Sequence, residues 1–163
     1  MRRLTISALA CTETLRLLIS MAWADGRLDD NEKAGVRGAA NVLNLSKEFR
    51  DKLDVALAEP LPFDQLVLEA LSPKDQAFAY VAAVWMSTVD NEVDPKEKVL
   101  LDMLARKLGF GDPHRADLEA IAKGLPAPPA GGHKWGDELV SLFKAIPPRL
   151  ENVQPDEIEV SFE

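Results

Sequence analysis

The stretch Asp25-Gly26-Arg27-Leu28-Asp29-Asp30-Asn31-Glu32 recurs 65 residues later as Asp90-Asn91-Glu92-Val93-Asp94-Pro95-Lys96-Glu97. Both copies read Asp-x-x-x-Asp-x-x-Glu, and each lies between two apolar runs. At the same shift Met21 falls on Met86, Lys33 on Lys98, Val36 on Leu101, Ala40 on Ala105, Leu43 on Leu108 and Leu45 on Phe110. Upstream the match thins, since Trp23 falls on Thr88 and Trp85 on Ser20. A fixed period in the apolar positions marks a duplicated unit, read here as a helix-turn-helix; two copies are too few for a solenoid.

The apolar spacing around the turns is helical. Leu15, Leu18, Ile19, Ala22 and Trp23 follow the i, i+3, i+4, i+7, i+8 pattern of one helix face, as do Phe78, Val81, Ala82, Trp85, Met86 and Val89. The helices leaving the turns carry Val36, Ala39, Ala40 and Leu43, and Leu101, Leu104, Ala105 and Leu108. Ser46, Ser72-Pro73-Lys74-Asp75 and Asp112-Pro113 mark further starts, where a capping side chain precedes the first helical turn. Gly109 and Gly124 suit helix C-termini. The expected fold is an all-α helical bundle of about seven helices, with a short one near Asp64 to Ala70 joining the halves.

Residues 1–124 form the expected helical domain and 125–136 a linker, because Pro126 to Gly132 holds three prolines and two glycines, which neither donate regularly nor hold one backbone geometry. Residues 137–163 read as a short helix around Asp137 to Ala145, stopped by Pro147-Pro148, and an extended tail. Ile158, Val160 and Phe162 alternate with polar residues there; one strand cannot bury itself, so it must pair, pack on the helices, or belong to a missing domain.

Composition narrows the function. A chain of 163 residues with 47% hydrophobic content can bury a sizeable core. Its net charge of −8 repels phosphate backbones, so nucleic acid is not an expected partner, whereas cations or basic protein surfaces are. Cys11 is the single cysteine, which excludes an internal disulfide or a cysteine zinc cluster and makes a cytoplasmic setting the default expectation. Arg2-Arg3 before Leu4 to Cys11 faintly resembles a lipoprotein signal, but the apolar stretch is short and holds Thr5 and Ser7, so export through Cys11 is set aside. No run is long and apolar enough for direct membrane insertion.

The acidic turns have two readings. Asp29 with Glu32, and Asp94 with Glu97, have the spacing of a capping box, and carboxylates favour the positive end of a helix. Asp25 and Asp90 follow the preceding helix, where a negative charge opposes the dipole, and capping does not explain them. Folded onto one point, Asp25, Asp29 and Glu32, and likewise Asp90, Asp94 and Glu97, make an oxygen-rich site for Ca²⁺ or Mg²⁺. The spacing is not that of an EF-hand, whose glycine is sixth and glutamate twelfth. The alternative is an Asx-type turn with Gly26 and Asn91 in the left-handed region. Both readings stand at this point.

Ala24-Asp25-Gly26 before a helix opening Asp29-x-x-Glu32 resembles the TerB-like family of bacterial tellurite-resistance and stress proteins, to which the N-terminal domain of the co-chaperone DjlA is related. The second turn, with Leu101, Leu104, Ala105, Leu108 and Gly109, is similar to the repeat those domains carry. The resemblance spans about residues 12–124 and departs from the pattern at Asn91, which stands in the place of a glycine. It implies a non-enzymatic helical module with two halves, an acidic surface that takes a divalent metal at Asp25, Asp29, Glu32, Asp90, Asp94 and Glu97, and work in a protein complex of the stress response peripheral to the inner membrane.

An enzyme finds little support. His114 and His133 are the only histidines, neither has a nucleophile beside it in sequence, and there is no phosphate-binding glycine loop. Neither a catalytic residue nor an organic cofactor is therefore expected, although paired carboxylates are capable of hydrolysis. A third class is an interaction scaffold, with Trp23 and Trp85 as core residues first and contact residues second, and the tail as an added strand.

Overall fold

The computed structural model describes residues 2–24, 30–60, 62–88, 95–125, 135–151 and 158–162. Two helices set its frame. α1 (Ala8–Ala24) and α4 (Pro73–Thr88) are mostly apolar and lie in the middle of the bundle: none of residues 8–23 is exposed, and α4 is buried along most of its length. Every residue from Ala77 to Trp85 is buried, and α1 packs directly on α4. Two of their hydroxyls bond back to their own helix: Thr12 Oγ1 donates to the Ala8 carbonyl and Ser87 Oγ to the Val84 carbonyl, both at 2.7 Å.

The amphipathic helices α2 (Asp30–Val42), α3 (Lys47–Ala58), α5 (Pro95–Leu108) and α6 (Asp112–Lys123) surround this pair and turn one stripe inward. α3 packs on α1, and α5 and α6 pack on α4. Trp23 fastens α1 to α3 by donating its indole N–H to the Ala56 carbonyl at 2.9 Å, one of the carbonyls in α3's last turn that lack a helical partner. The short helix expected near Asp64 to Ala70 is two 3₁₀ turns, Phe63–Gln65 and Leu68–Ala70.

The repeat is longer than a helix-turn-helix. Shifting by 65 residues carries the start of α1 onto Pro73, the start of α2 onto Pro95, and both ends of α3 onto both ends of α6. Each unit is thus three helices. The turn between its second and third helices is the same motif in both copies: Asn44 N–H donates to the Asn41 carbonyl and Leu45 N–H to the Ala40 carbonyl, each at 3.1 Å. Gly109 N–H meets Arg106 at 3.1 Å, and Phe110 N–H meets Ala105 at 3.0 Å. These are Schellman closures, which need a left-handed residue one place past the helix. Asn44 (φ 58°) and Gly109 (φ 75°) fill that place at equivalent positions. Ser46 then caps α3, accepting from Phe49 N–H at 3.4 Å. In the second copy the cap is Gly111 rather than Asp112, which is already the first helical residue.

One expectation for the C-terminal region is corrected. α7 (Trp135–Leu150) does not stop at Ala145; it runs through Pro147 and Pro148. Proline there removes two N–H donors, but both residues are buried, Arg149 donates to the Ala145 carbonyl at 2.9 Å, and Glu151 N–H closes on Pro147 at 3.2 Å. The expected linker falls largely on residues 126–134, outside those described. Beyond it α7 joins the core through Leu139, Leu142, Phe143 and Ile146, with Phe143 edge-on to Phe78 at 5.0 Å. Its broadest contact is with α2, where Gly136 lies against Gly35 and a Cβ at 136 falls in van der Waals contact with the Gly35 carbonyl at 3.4 Å. The tail strand β2 (Ile158–Phe162) finds its partner at the other end of the chain, pairing in parallel with β1 (Arg2–Ile6), Leu4 opposite Val160 and Ile6 opposite Phe162.

The left-handed closure makes a paired prediction. Gly109→Ala forces a Cβ into the left-handed region and lowers unfolding free energy by about 1 kcal/mol. Gly38→Ala, inside α2 with open space around it, raises it by about 0.8 kcal/mol. Denaturant titration of both variants checks the two signs.

Candidate functional site

Four of the six candidate metal ligands, Asp25, Asp29, Asp90 and Asp94, lie outside the described residues, and so does the side chain of Glu97. The helix boundaries still constrain them. α2 begins at Asp30 and α5 at Pro95, so Asp29 and Asp94 directly precede the first helical residue and Glu32 and Glu97 are the third. That is the spacing of a capping box in both units.

Glu32 is the one candidate whose side chain is described. It is half-buried and borders a pocket of about 20 Å³ whose other walls include Leu18, Ile19, Val36, Met86 and Leu139. The pocket has room for about one water molecule. A hard cation takes six or more oxygens, and these walls supply methyl groups and a thioether, so the remaining donors for a cation at Glu32 have to come from the turn itself. Among the described residues, no group of three or more His, Cys, Asp or Glu is arranged to hold a metal.

The remaining reactive side chains are unremarkable as catalysts. Cys11 is fully buried in α1, and burial first, with the Asp75 charge second, pushes its thiol up to about 12. A thiol held protonated is a poor nucleophile. His114 is exposed in the first turn of α6, edge-on to Phe110 at 5.0 Å; His133 lies outside the described residues. Trp85 is buried and Trp23 partly so, consistent with the core role read from their spacing.

The best-connected polar group was not visible in the sequence. Tyr80 is fully buried on α4, and its hydroxyl accepts from Arg115 Nε at 2.7 Å and donates to Glu119 Oε1 at 3.2 Å. Arg115 also contacts Glu119 Oε1 at 3.2 Å, and its Nη2 pairs with Asp102 of α5. One guanidinium thus ties three helices together. Burial pushes the Tyr80 phenol up to about 12. Burial works against the Arg115 charge, but its bonds to Asp102 and Tyr80 prevail and raise its pKa. The hydrogen bond from Arg115 holds the Asp102 carboxyl below its ordinary value.

Its pH dependence has a definite sign. A carboxyl whose folded pKa is depressed stabilises the fold above its unfolded pKa, about 3.9, and that stabilisation disappears as pH falls through the lowered value. Asp102→Asn therefore lowers the melting temperature at pH 7 and makes its decline below pH 4 shallower. Tyr80→Phe removes about 1 kcal/mol at either pH, and melting curves at pH 7 and pH 3 distinguish the two variants.

Comparison with known proteins found no curated protein and no solved structure that matches. A family model does match, over residues 7–122, described as Protein of unknown function (DUF533). The matched span is the two three-helix units almost to the residue, without β1, α7 or β2. As it covers well over half of the 163 residues, the chain belongs to the DUF533 family.

Proposed function

We propose that this chain is a non-enzymatic, TerB-like binding module whose two acidic interhelical turns take a divalent cation, Ca²⁺ or Mg²⁺, and which acts within a protein complex of the stress or tellurite response. One observation carries the reading: the same three carboxylates recur at the same place in two three-helix units, ahead of α2 and ahead of α5. Asp25 and Asp90 follow α1 and α4, where the helix dipole disfavours them, so a compensating positive charge accounts for their presence. The DUF533 family is TerB-like, which agrees with the resemblance carried by Ala24-Asp25-Gly26.

A second reading, an interaction scaffold whose acidic turns only cap helices, draws on Glu32. Its position as third helical residue and its place beside Leu18, Val36 and Met86 suit a capping side chain whose stem packs on the core.

The two readings predict opposite signatures. Under the metal reading, millimolar Ca²⁺ or Mg²⁺ raises the melting temperature by mass action. Asp25→Asn with Asp90→Asn abolishes that rise at little cost in metal-free buffer. Asp29→Ala with Asp94→Ala lowers stability by roughly 1 kcal/mol per cap whether or not metal is present. A melting curve indifferent to both ions, with no heat on calorimetric titration, rejects the metal site and leaves the scaffold.

A further inference from the structure

The second unit closes a seam between its last two helices with Arg115, and the first unit leaves the same seam open. Shifting back by 65 residues, Arg115 becomes Arg50, but its partners are not reproduced: Tyr80 becomes Leu15, Asp102 becomes Arg37, and Glu119 becomes Asp54. Asp54 is engaged by Arg37 Nε at 3.1 Å. Arg50 is left with one long contact, Nη1 to Asn41 Oδ1 at 3.4 Å, as its partner among the described residues. A guanidinium offers five N–H donors. The aromatic filling is missing as well, since Phe110, which packs edge-on to Tyr80 at 5.4 Å, is matched by Leu45.

The result is a groove of about 380 Å³ between α2 and α3, walled by Arg37, Asn41, Lys47, Arg50, Asp51 and Asp54 and floored by Ala40 and Leu53. This volume lies in the range of ligand sites. On a chain of net charge −8 it gathers three cations against two carboxylates, and the pairing of Arg37 with Asp54 leaves Lys47 and Arg50 against Asp51. Lys47 opens α3, so its ammonium adds to the positive end of that helix.

We propose that this groove binds an acidic peptide segment of a partner protein, a carboxylate of which pairs with Arg50 as Asp102 pairs with Arg115. The second unit shows the chemistry this arginine position accepts: carboxylates at Asp102 and Glu119 and a phenol at Tyr80. Asp51 and Asp54 also face the groove, and they repel a doubly charged phosphate more than a single carboxylate. The inference is independent of the acidic turns, because Asn41, Lys47 and Arg50 lie around the turn at the opposite end of α2.

The test is fluorescence anisotropy with a labelled octapeptide of alternating Glu and Ala, beside its Gln counterpart, on the full chain. The Glu peptide binds saturably and more weakly as salt is raised, and the Gln peptide does not bind. Arg50→Glu and Lys47→Glu, both exposed positions checked for unchanged circular dichroism, each weaken binding roughly tenfold. Asp25→Asn with Asp90→Asn leaves it unchanged, so failure here and failure of the cation reading are separable. Absence of binding by the Glu peptide, or equal binding by Arg50→Glu, overturns the proposal. So does displacement of the peptide by inorganic phosphate at lower concentration than by unlabelled peptide.

Discussion

Two mostly apolar helices buried along most of their length are the constraint from which the rest of the structure follows. α1 and α4 can cover only one side of each other, and each leaves most of its apolar circumference to be hidden from water. A helix of 17 or 16 residues carries too much apolar surface for a single neighbour. Every other element is a cover: α3 against α1, α5 and α6 against α4, and α7 against both α4 and α2. Amphipathic helices suffice for this, because each needs only one apolar stripe.

The cover is reciprocal between the units. The segment after α3 crosses to the second unit, where Glu69 pairs with Lys107 of α5 at 3.1 Å. The segment after α6 leads to α7, which lies on α2 of the first unit. Because the 65-residue shift turns α2 into α5, the two crossings are the same operation performed by unlike sequences. The first crossing is anchored by a buried charge: Glu13, fully buried on α1, takes Arg16 Nη1 on both oxygens at 2.8 and 2.9 Å and lies within 3.5 Å of Val67 N–H. A carboxylate in that setting is tolerable only while paired.

What could be read in advance divides along physical lines. Periodicity is local, so the helices around the acidic turns and the caps at Ser46 and Ser72 were legible. The third helix of each unit is hard to join to the repeat from sequence because it shares few residues: Arg50 matches Arg115 and Leu53 matches Leu118, but Lys47 matches Asp112 and Phe49 matches His114. Asn44 gives little sign in the sequence of matching Gly109, since asparagine takes the left-handed region less often than glycine. α7 was cut short because proline normally ends a helix, and only burial in the finished fold offsets that cost. The β1 and β2 pairing joins residues 2–6 to 158–162, a separation at which no local pattern identifies the partner. At the acidic turns, the residue types and spacing were legible, whereas the direction of Glu32 toward Met86 and Leu139 depends on helices far away in sequence.

The two units differ in what surrounds the arginine they share, Arg50 in the first and Arg115 in the second. In the second unit the buried Tyr80 hydroxyl needs partners, since an unpaired phenol inside a core costs roughly 1–3 kcal/mol. Arg115, Glu119 and Asp102 are therefore bound up with folding. In the first unit Leu15 stands in Tyr80's place and asks for nothing. The Arg37 to Asp54 pair there is more than half exposed on both sides, so solvent screening limits it to at most about 1 kcal/mol. Folding thus constrains the charges of the second unit and leaves those of the first nearly free. A duplicated scaffold in which one seam is closed by its own side chains and the other is held open by weakly committed cations separates stability from recognition, assigning the first to Tyr80 and Arg115 and the second to the groove beside Arg50.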